Sequence, residues 1–207
     1  MKRNMNTTTI TINELIEKGI SNSASYEEYK ELVSSLLLEG KSTGNDQTEA
    51  LTNYSMLNDR RMKRLDKTIK VNDAAKKIFS DAKLNVTWLV LTEGWCGDAA
   101  QSLPVINKLA ELNDGIDLRI VSRDEHDDLM SNFLTNGGKA IPKLIAFDND
   151  KKEVLNSWGP RPSVATKMVN DYKAEHGSLD ADFKQDLQVW YNKDKGVNII
   201  EDLTKLI

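Results

Sequence analysis

The run Val86-Thr87-Trp88-Leu89-Val90-Leu91 constrains this chain more than any other stretch. β-Branched, aromatic and apolar residues in unbroken succession read as a buried strand. The strand stops at Glu93-Gly94, and a helical pattern begins straight after Cys96. The only cysteine of the chain therefore stands where a strand ends and a helix starts. Free backbone N–H groups and the positive end of a helix dipole favour an anion at such a place, and so a thiolate. This placement points to thiol chemistry, or to what is left of it.

Around this junction the second half of the chain alternates strand and helix. Strands are expected at 85–92 and 116–122, and a hairpin joins 142–147 to 153–158 around Asp148-Asn149-Asp150-Lys151. Helices are expected at 97–113 and 124–134, from Pro162 onward, at 179–193 and in a last short segment past Gly196. The order β-α-β-α-β-β-α gives an α/β fold with one mixed sheet covered by helices on both faces. The first 82 residues read as helical. Ile12, Leu15 and Ile16 mark a short helix capped by Thr11 or Asn13, and Ser25-x-x-Glu28 is a capping box before a helix over 26–38. Asp46-x-x-Glu49 opens another, with Leu51, Tyr54, Leu57, Met62 and Leu65 facing inward. Asn72 caps a third with Ala75, Ile78 and Phe79 on one side. These helices carry no chemical constellation and read as a packing extension. The expected division is 1–82 helical extension, 83–176 α/β domain and 177–207 C-terminal helical segment.

Composition removes several functions. With 207 residues the chain buries a core without staples, and one cysteine allows neither an internal disulfide nor a thiolate zinc cluster. A formal net charge of −4 argues against nucleic-acid binding. The basic run Arg60-Arg61-Met62-Lys63-Arg64 reads as a solvated helix face. Polar residues follow Met1-Lys2-Arg3 and no long apolar run occurs, so neither a leader nor a membrane span is expected, and a reducing cytoplasm is the default. His126 and His176 read as surface residues. The acidic run 124–128 reads as helix-start acids rather than a metal site. No phosphate loop, serine elbow or H-E-x-x-H motif occurs, so no cofactor and no metal are expected.

Trp95-Cys96-Gly97-Asp98-Ala99 resembles the W-C-G-P-C site of thioredoxins. Pro104, eight residues after the cysteine, matches the proline that kinks the thioredoxin active-site helix. Ala140-Ile141-Pro142 before Lys143-Leu144-Ile145-Ala146-Phe147 resembles the cis-proline loop and its strand, and Trp158-Gly159 matches the end of the last hairpin strand. A proline within a helix costs roughly 3 kcal/mol, so Pro104 makes sense only in a kinked one. The resemblance covers about residues 80–175 and implies a thioredoxin-like fold, in a bacterial W-C-G-D subgroup with a helical N-terminal extension and C-terminal helices. It further implies a cis Ile141-Pro142 bond beside Cys96, with Ile141 offering its main chain to an extended peptide. The implied site is then Cys96 as the reacting group, with Trp95, Gly97, Asp98, Ile141, Pro142 and Gly159 around the substrate.

The departures matter as much. The family's second cysteine falls on Ala99, so nothing releases a mixed disulfide from within the chain. The family's buried acid falls on Val90, so the proton acceptor for that second thiol is missing too. Asp98 replaces the family's proline and reads as a first-turn acid. At an effective dielectric of about 20, an acid about 6 Å away opposes a thiolate by roughly 3 kcal/mol, against a dipole contribution of about 0.3–2 kcal/mol. A near-normal thiol pKa is therefore expected, with Lys143 and Arg161 flanking the groove. Two functions follow. One is monothiol thiol–disulfide exchange in cell redox homeostasis, in which Cys96 forms a mixed disulfide with a protein or peptide client or a low-molecular-weight thiol and an outside thiol resolves it. The other is a non-catalytic binding module that holds a peptide or protein partner in the cis-proline groove.

Overall fold

The computed structural model describes residues 10–207. The expectation about a leader falls on residues 1–9 and lies outside them. Four helices come first: α1 (Ile12–Ser21), α2 (Tyr26–Leu38), α3 (Glu49–Thr68) and α4 (Asp73–Asp81). Then β1 (Val86–Thr92), α5 (Gly97–Ala110), β2 (Ile116–Ser122), the single turn α6 (Asp127–Met130), β3 (Lys143–Asp148) and β4 (Glu153–Trp158) follow, and α7 (Ser163–His176), α8 (Ala181–Asp194) and α9 (Val197–Thr204) end the chain. The sheet order is β2-β1-β3-β4. β1 runs parallel to β2 and antiparallel to β3, and β3 pairs antiparallel with β4. This is the mixed α/β sheet expected, with helical segments before and after it.

Every residue of β1 is buried, because the strand is covered on both faces. Trp88 meets Phe79 of α4 edge-on at 5.9 Å. Its neighbour Leu89, which points to the opposite face, packs under Gly19 of α1. A Cβ at Gly19 would stand 3.0 Å from the Leu89 side chain. Capping fixes the helix starts: Thr11 and Ser25 each close a capping box, on Glu14 and Glu28, and Asn72 caps α4.

Local patterning misplaced several features. Thr48, not Asp46, caps α3. Tyr54 and Leu57 of that helix are more than half exposed, and its inward side carries Ser55, Asn58 and Asp59 beside Met62 and Leu65. These polar groups face inward because each finds a partner there: Ser55 the Ser42 hydroxyl, Asn58 the Gly94 carbonyl and Asp59 the Ser34 hydroxyl. Ile78 also faces out. Helix α5 stops at Ala110, where Leu112 and Asn113 close tighter i→i+3 bonds. The helix expected over 124–134 shrinks to α6 because Asp124 is held in a turn, its N–H donating to Glu93 Oε1 at 3.1 Å. His126 is buried, not on the surface, with Nδ1 3.1 Å from Ser122 O; His176 is exposed.

Candidate functional site

Three elements bring the sequence-predicted residues together. The strand β1 ends in a turn in which Cys96 N–H donates to Glu93 O at 3.0 Å, and Cys96 is the N-cap of α5. Pro104 lies inside α5. The Ile141-Pro142 bond that leads into β3 is cis. The thiol faces that loop and donates to Ile141 O at 3.3 Å. Gly159, at the end of β4, has φ +112°, and a Cβ there would fall 2.1 Å from Pro142 O. Only glycine lets the last strand pass so close to the proline loop. Trp95 is half-buried, with the Arg123 guanidinium 5.0 Å from its ring centre.

The electrostatics differ from the sequence expectation. Cys96 is 7% exposed. Burial first, and the Asp98 charge second, push its thiol up to about 12, against the N–H groups of Ala99 and Asp98 and the Arg161 charge, which pull it down. The near-normal pKa expected from the sequence weighed Asp98 and the dipole but left out burial, which is the largest contribution. Asp98 itself is more than a first-turn acid. Its side chain is 11% exposed, Oδ2 lies 2.7 Å from Arg161 Nη2, and Oδ1 accepts from the Tyr191 hydroxyl at 3.0 Å. Burial raises its pKa even so, against the pull of Arg161 and Tyr191. Lys143 takes no part in this pairing. It is buried, donates to Thr135 Oγ1 at 2.7 Å and has its pKa lowered by burial.

Sequence reasoning missed the residues that cover the junction. From α3, Asn58 Nδ2 donates to Gly94 O at 2.9 Å, and Arg61 Nη1 donates to Asn58 Oδ1 at 2.7 Å. Arg61 belongs to the basic run read as a solvated face, yet burial lowers its pKa. From the loop before α3, Thr43 Oγ1 accepts from Gly94 N–H at 2.7 Å. From α8, Gln188 Oε1 accepts from Gln101 Nε2 of α5 at 3.0 Å, and Tyr191 reaches Asp98. A Cβ on Gly97 would stand 3.7 Å from both Arg61 and Gln188. The start of α5 is thus flanked by one helix from each end of the chain. The available signal was polar spacing: Ser55, Asn58 and Asp59 form one helical face.

In this state the site does two things. It holds a protonated sulfur against a main-chain carbonyl, and it keeps a charged pair beside that sulfur. It offers no second sulfur, since Ala99 stands one turn in, and no acid on β1, since Val90 is there. Among the described residues no three His, Cys, Asp or Glu side chains gather in a way that would hold a metal ion. No described helix is long and apolar enough to cross a membrane.

A family model described as Thioredoxin matches residues 44–173. Among solved structures, a protein of unknown function from Pseudomonas aeruginosa is similar at a TM-score of 0.55 and 19% identity, over 88% of this chain and 96% of that one. An HIV epitope-scaffold is similar at 0.53 and 18%, over 88% and 97%. At these identities the two structures speak for the fold alone. No curated protein matches.

Proposed function

The chain belongs to the thioredoxin family, and from that premise we propose that it is a binding member of the family, one that holds an extended peptide segment of a protein partner at the cis-proline loop without passing electrons. The protonated state of Cys96 carries this reading. Burial holds the thiol well above its ordinary value and the S–H donates to Ile141 O at 3.3 Å, whereas the thiolate is the species that attacks a disulfide. Ala99 and Val90 support the same reading, because neither a resolving thiol nor its base is present. In this role Cys96 ties the α5 start to the proline loop, and Trp95, Gly97, Asp98, Ile141, Pro142 and Gly159 frame the groove.

A second reading, monothiol exchange with a client or a low-molecular-weight thiol, has one observation in its favour. The Asp98 and Ala99 N–H groups and Arg161 all bear on the sulfur in the sense that stabilises a thiolate. Partner capture by wild type and Cys96→Ser in parallel separates the two. Equal capture supports binding without exchange. Loss of partners with Cys96→Ser, together with a mixed disulfide on Cys96 after incubation with glutathione disulfide, supports exchange and overturns the first reading.

A further inference from the structure

A cavity apart from the Cys96 site starts at the same turn, at Thr92 and Glu93. It has a volume of about 370 Å³ and lies between α2, the loop 40–47 and the carboxyl ends of β1 and β2. That size is within the range of small-molecule sites. Two of its lining side chains are fully buried and hold polar atoms without a hydrogen-bond partner: Glu93 Oε2 and Thr92 Oγ1. Glu93 is 1% exposed. Its other oxygen, Oε1, is taken, accepting from Ser122 Oγ at 2.7 Å and from Asp124 N–H at 3.1 Å. Tyr29 also lines the cavity, and its hydroxyl bears on the Thr92 hydroxyl. The rest of the wall combines an aliphatic strip, Leu32, Leu36 and Ile120, with polar residues such as Asn22, Ser42 and Gln47.

We propose that this cavity binds a small primary alkylammonium compound, with its charged nitrogen on Glu93 Oε2 and Thr92 Oγ1 and its alkyl chain along Leu32, Leu36 and Ile120. Buried polar atoms are nearly always paired, so the orphan oxygen of Glu93 calls for a donor, and the Thr92 hydroxyl on the same wall has a lone pair to share with it. A carboxylate oxygen calls for a cationic donor. With Oε1 engaged, Glu93 presents one oxygen rather than two. That disfavours the planar two-pronged guanidinium and suits a compact ammonium with three N–H donors, two for the orphan acceptors and one for the Tyr29 hydroxyl. Of the charged residues at the mouth, Lys41 is paired with Glu39 at 2.9 Å, and Glu125 adds a second negative charge. The cavity touches the thiol turn through its wall, since Thr43, which lines it, also holds Gly94 N–H. The proposal does not rest on the function given to Cys96.

Titration calorimetry of the full chain with n-butylammonium tests it. One saturable site is expected, weakened about tenfold or more in Glu93→Gln, as the loss of a charge-assisted bond implies. Thr92→Val keeps the side-chain volume, removes at most the contact with the Tyr29 hydroxyl, and is expected to weaken binding several-fold in a folded protein. n-Butyltrimethylammonium, which has the charge but no N–H, is expected not to bind, and n-butylguanidinium to bind more weakly than the amine. The proposal is overturned if wild type shows no saturable site. It is equally overturned if Thr92→Val and the trimethyl probe both match wild type with the amine, or if a lysine-terminated peptide binds while the free amine does not.

Discussion

Arg161 Nη2 lies 2.7 Å from Asp98 Oδ2, and this pair sits directly beside the one thiol of the chain. The two charges act on Cys96 with opposite signs: Asp98 raises its pKa and Arg161 lowers it. Asp98→Asn is therefore expected to move the ionisation midpoint of Cys96 down by about one pH unit, and Arg161→Met to move it up. The pH dependence of iodoacetamide alkylation, followed by mass spectrometry, reads both. A common direction for the two variants would mean that the pair acts through packing rather than charge. Each variant also leaves one partner of the pair behind, at a cost in stability of about 3 kcal/mol at most, since Arg161 keeps a quarter of its side chain exposed.

Asn58 bridges α3 and the thiol turn, donating to Gly94 O and accepting from Arg61. Asn58→Ala strands a buried carbonyl and a half-buried guanidinium. A loss of about 1–3 kcal/mol in denaturant melts is expected, with faster alkylation of Cys96 under native conditions as the cover loosens. Slower unfolding or unchanged alkylation would remove α3 from any role at the site.

How far the sequence reaches is visible in Cys96 and Asn58. Cys96 and Pro104 were legible because each is a local event, a strand end and a proline in a helix, whereas Pro142 and Gly159 were reached through the resemblance of their surroundings to thioredoxins. The mixed sheet was legible from the order of its elements. Asn58 was not, because its partner Gly94 lies 36 positions away and offers only backbone. Hydrophobicity then turned α3 the wrong way, assigning Tyr54 and Leu57 to the interior. Arg161 was placed beside the groove as a charge available to offset Asp98, and it pairs with that acid, but the Tyr191 hydroxyl that α8 brings to Asp98 was carried by no local pattern. The same missing burial explains the thiol, expected near normal and found well above it.

Gly159→Ala is expected to abolish folding or to cost more than about 4 kcal/mol. Its φ of +112° is hard for any L side chain, and the new methyl carbon would lie 2.1 Å from the Pro142 carbonyl oxygen. That atom is backbone, so no rotamer relieves the clash. Expression yield and circular dichroism check it. A folded variant with near-native melting would mean that the turn between β4 and α7 relaxes away from the proline loop.

Thr92→Val is expected to leave stability unchanged or raise it by about 1 kcal/mol. Its hydroxyl is buried with only the Tyr29 hydroxyl beside it, so a methyl group of similar size removes a desolvation cost for the loss of one poorly aligned contact. Thermal melts in amine-free buffer read the change. A clear destabilisation would show that the hydroxyl has a partner within the fold.

Alkaline titration tests the burial of Cys96 from the side of stability. A thiol of ordinary value 9.0 in the unfolded chain and about 12 in the folded one binds its proton more tightly when folded. Its contribution to stability is therefore complete below pH 9 and is lost progressively as pH rises from 9 toward 12. Between pH 9 and pH 10 the loss from this one group amounts to about 1 kcal/mol. Buried tyrosines add losses of the same sign above pH 10, Tyr29 and Tyr191 among them, because burial holds their phenols above the usual value. The informative quantity is the difference between wild type and Cys96→Ala, measured by urea unfolding at pH 8, 9 and 10. Wild type is expected to lose about 1 kcal/mol more than the variant across the last interval. Parallel curves would mean that Cys96 ionises as easily in the folded protein as in the unfolded chain, and the case for a guarded, protonated sulfur would fall with them.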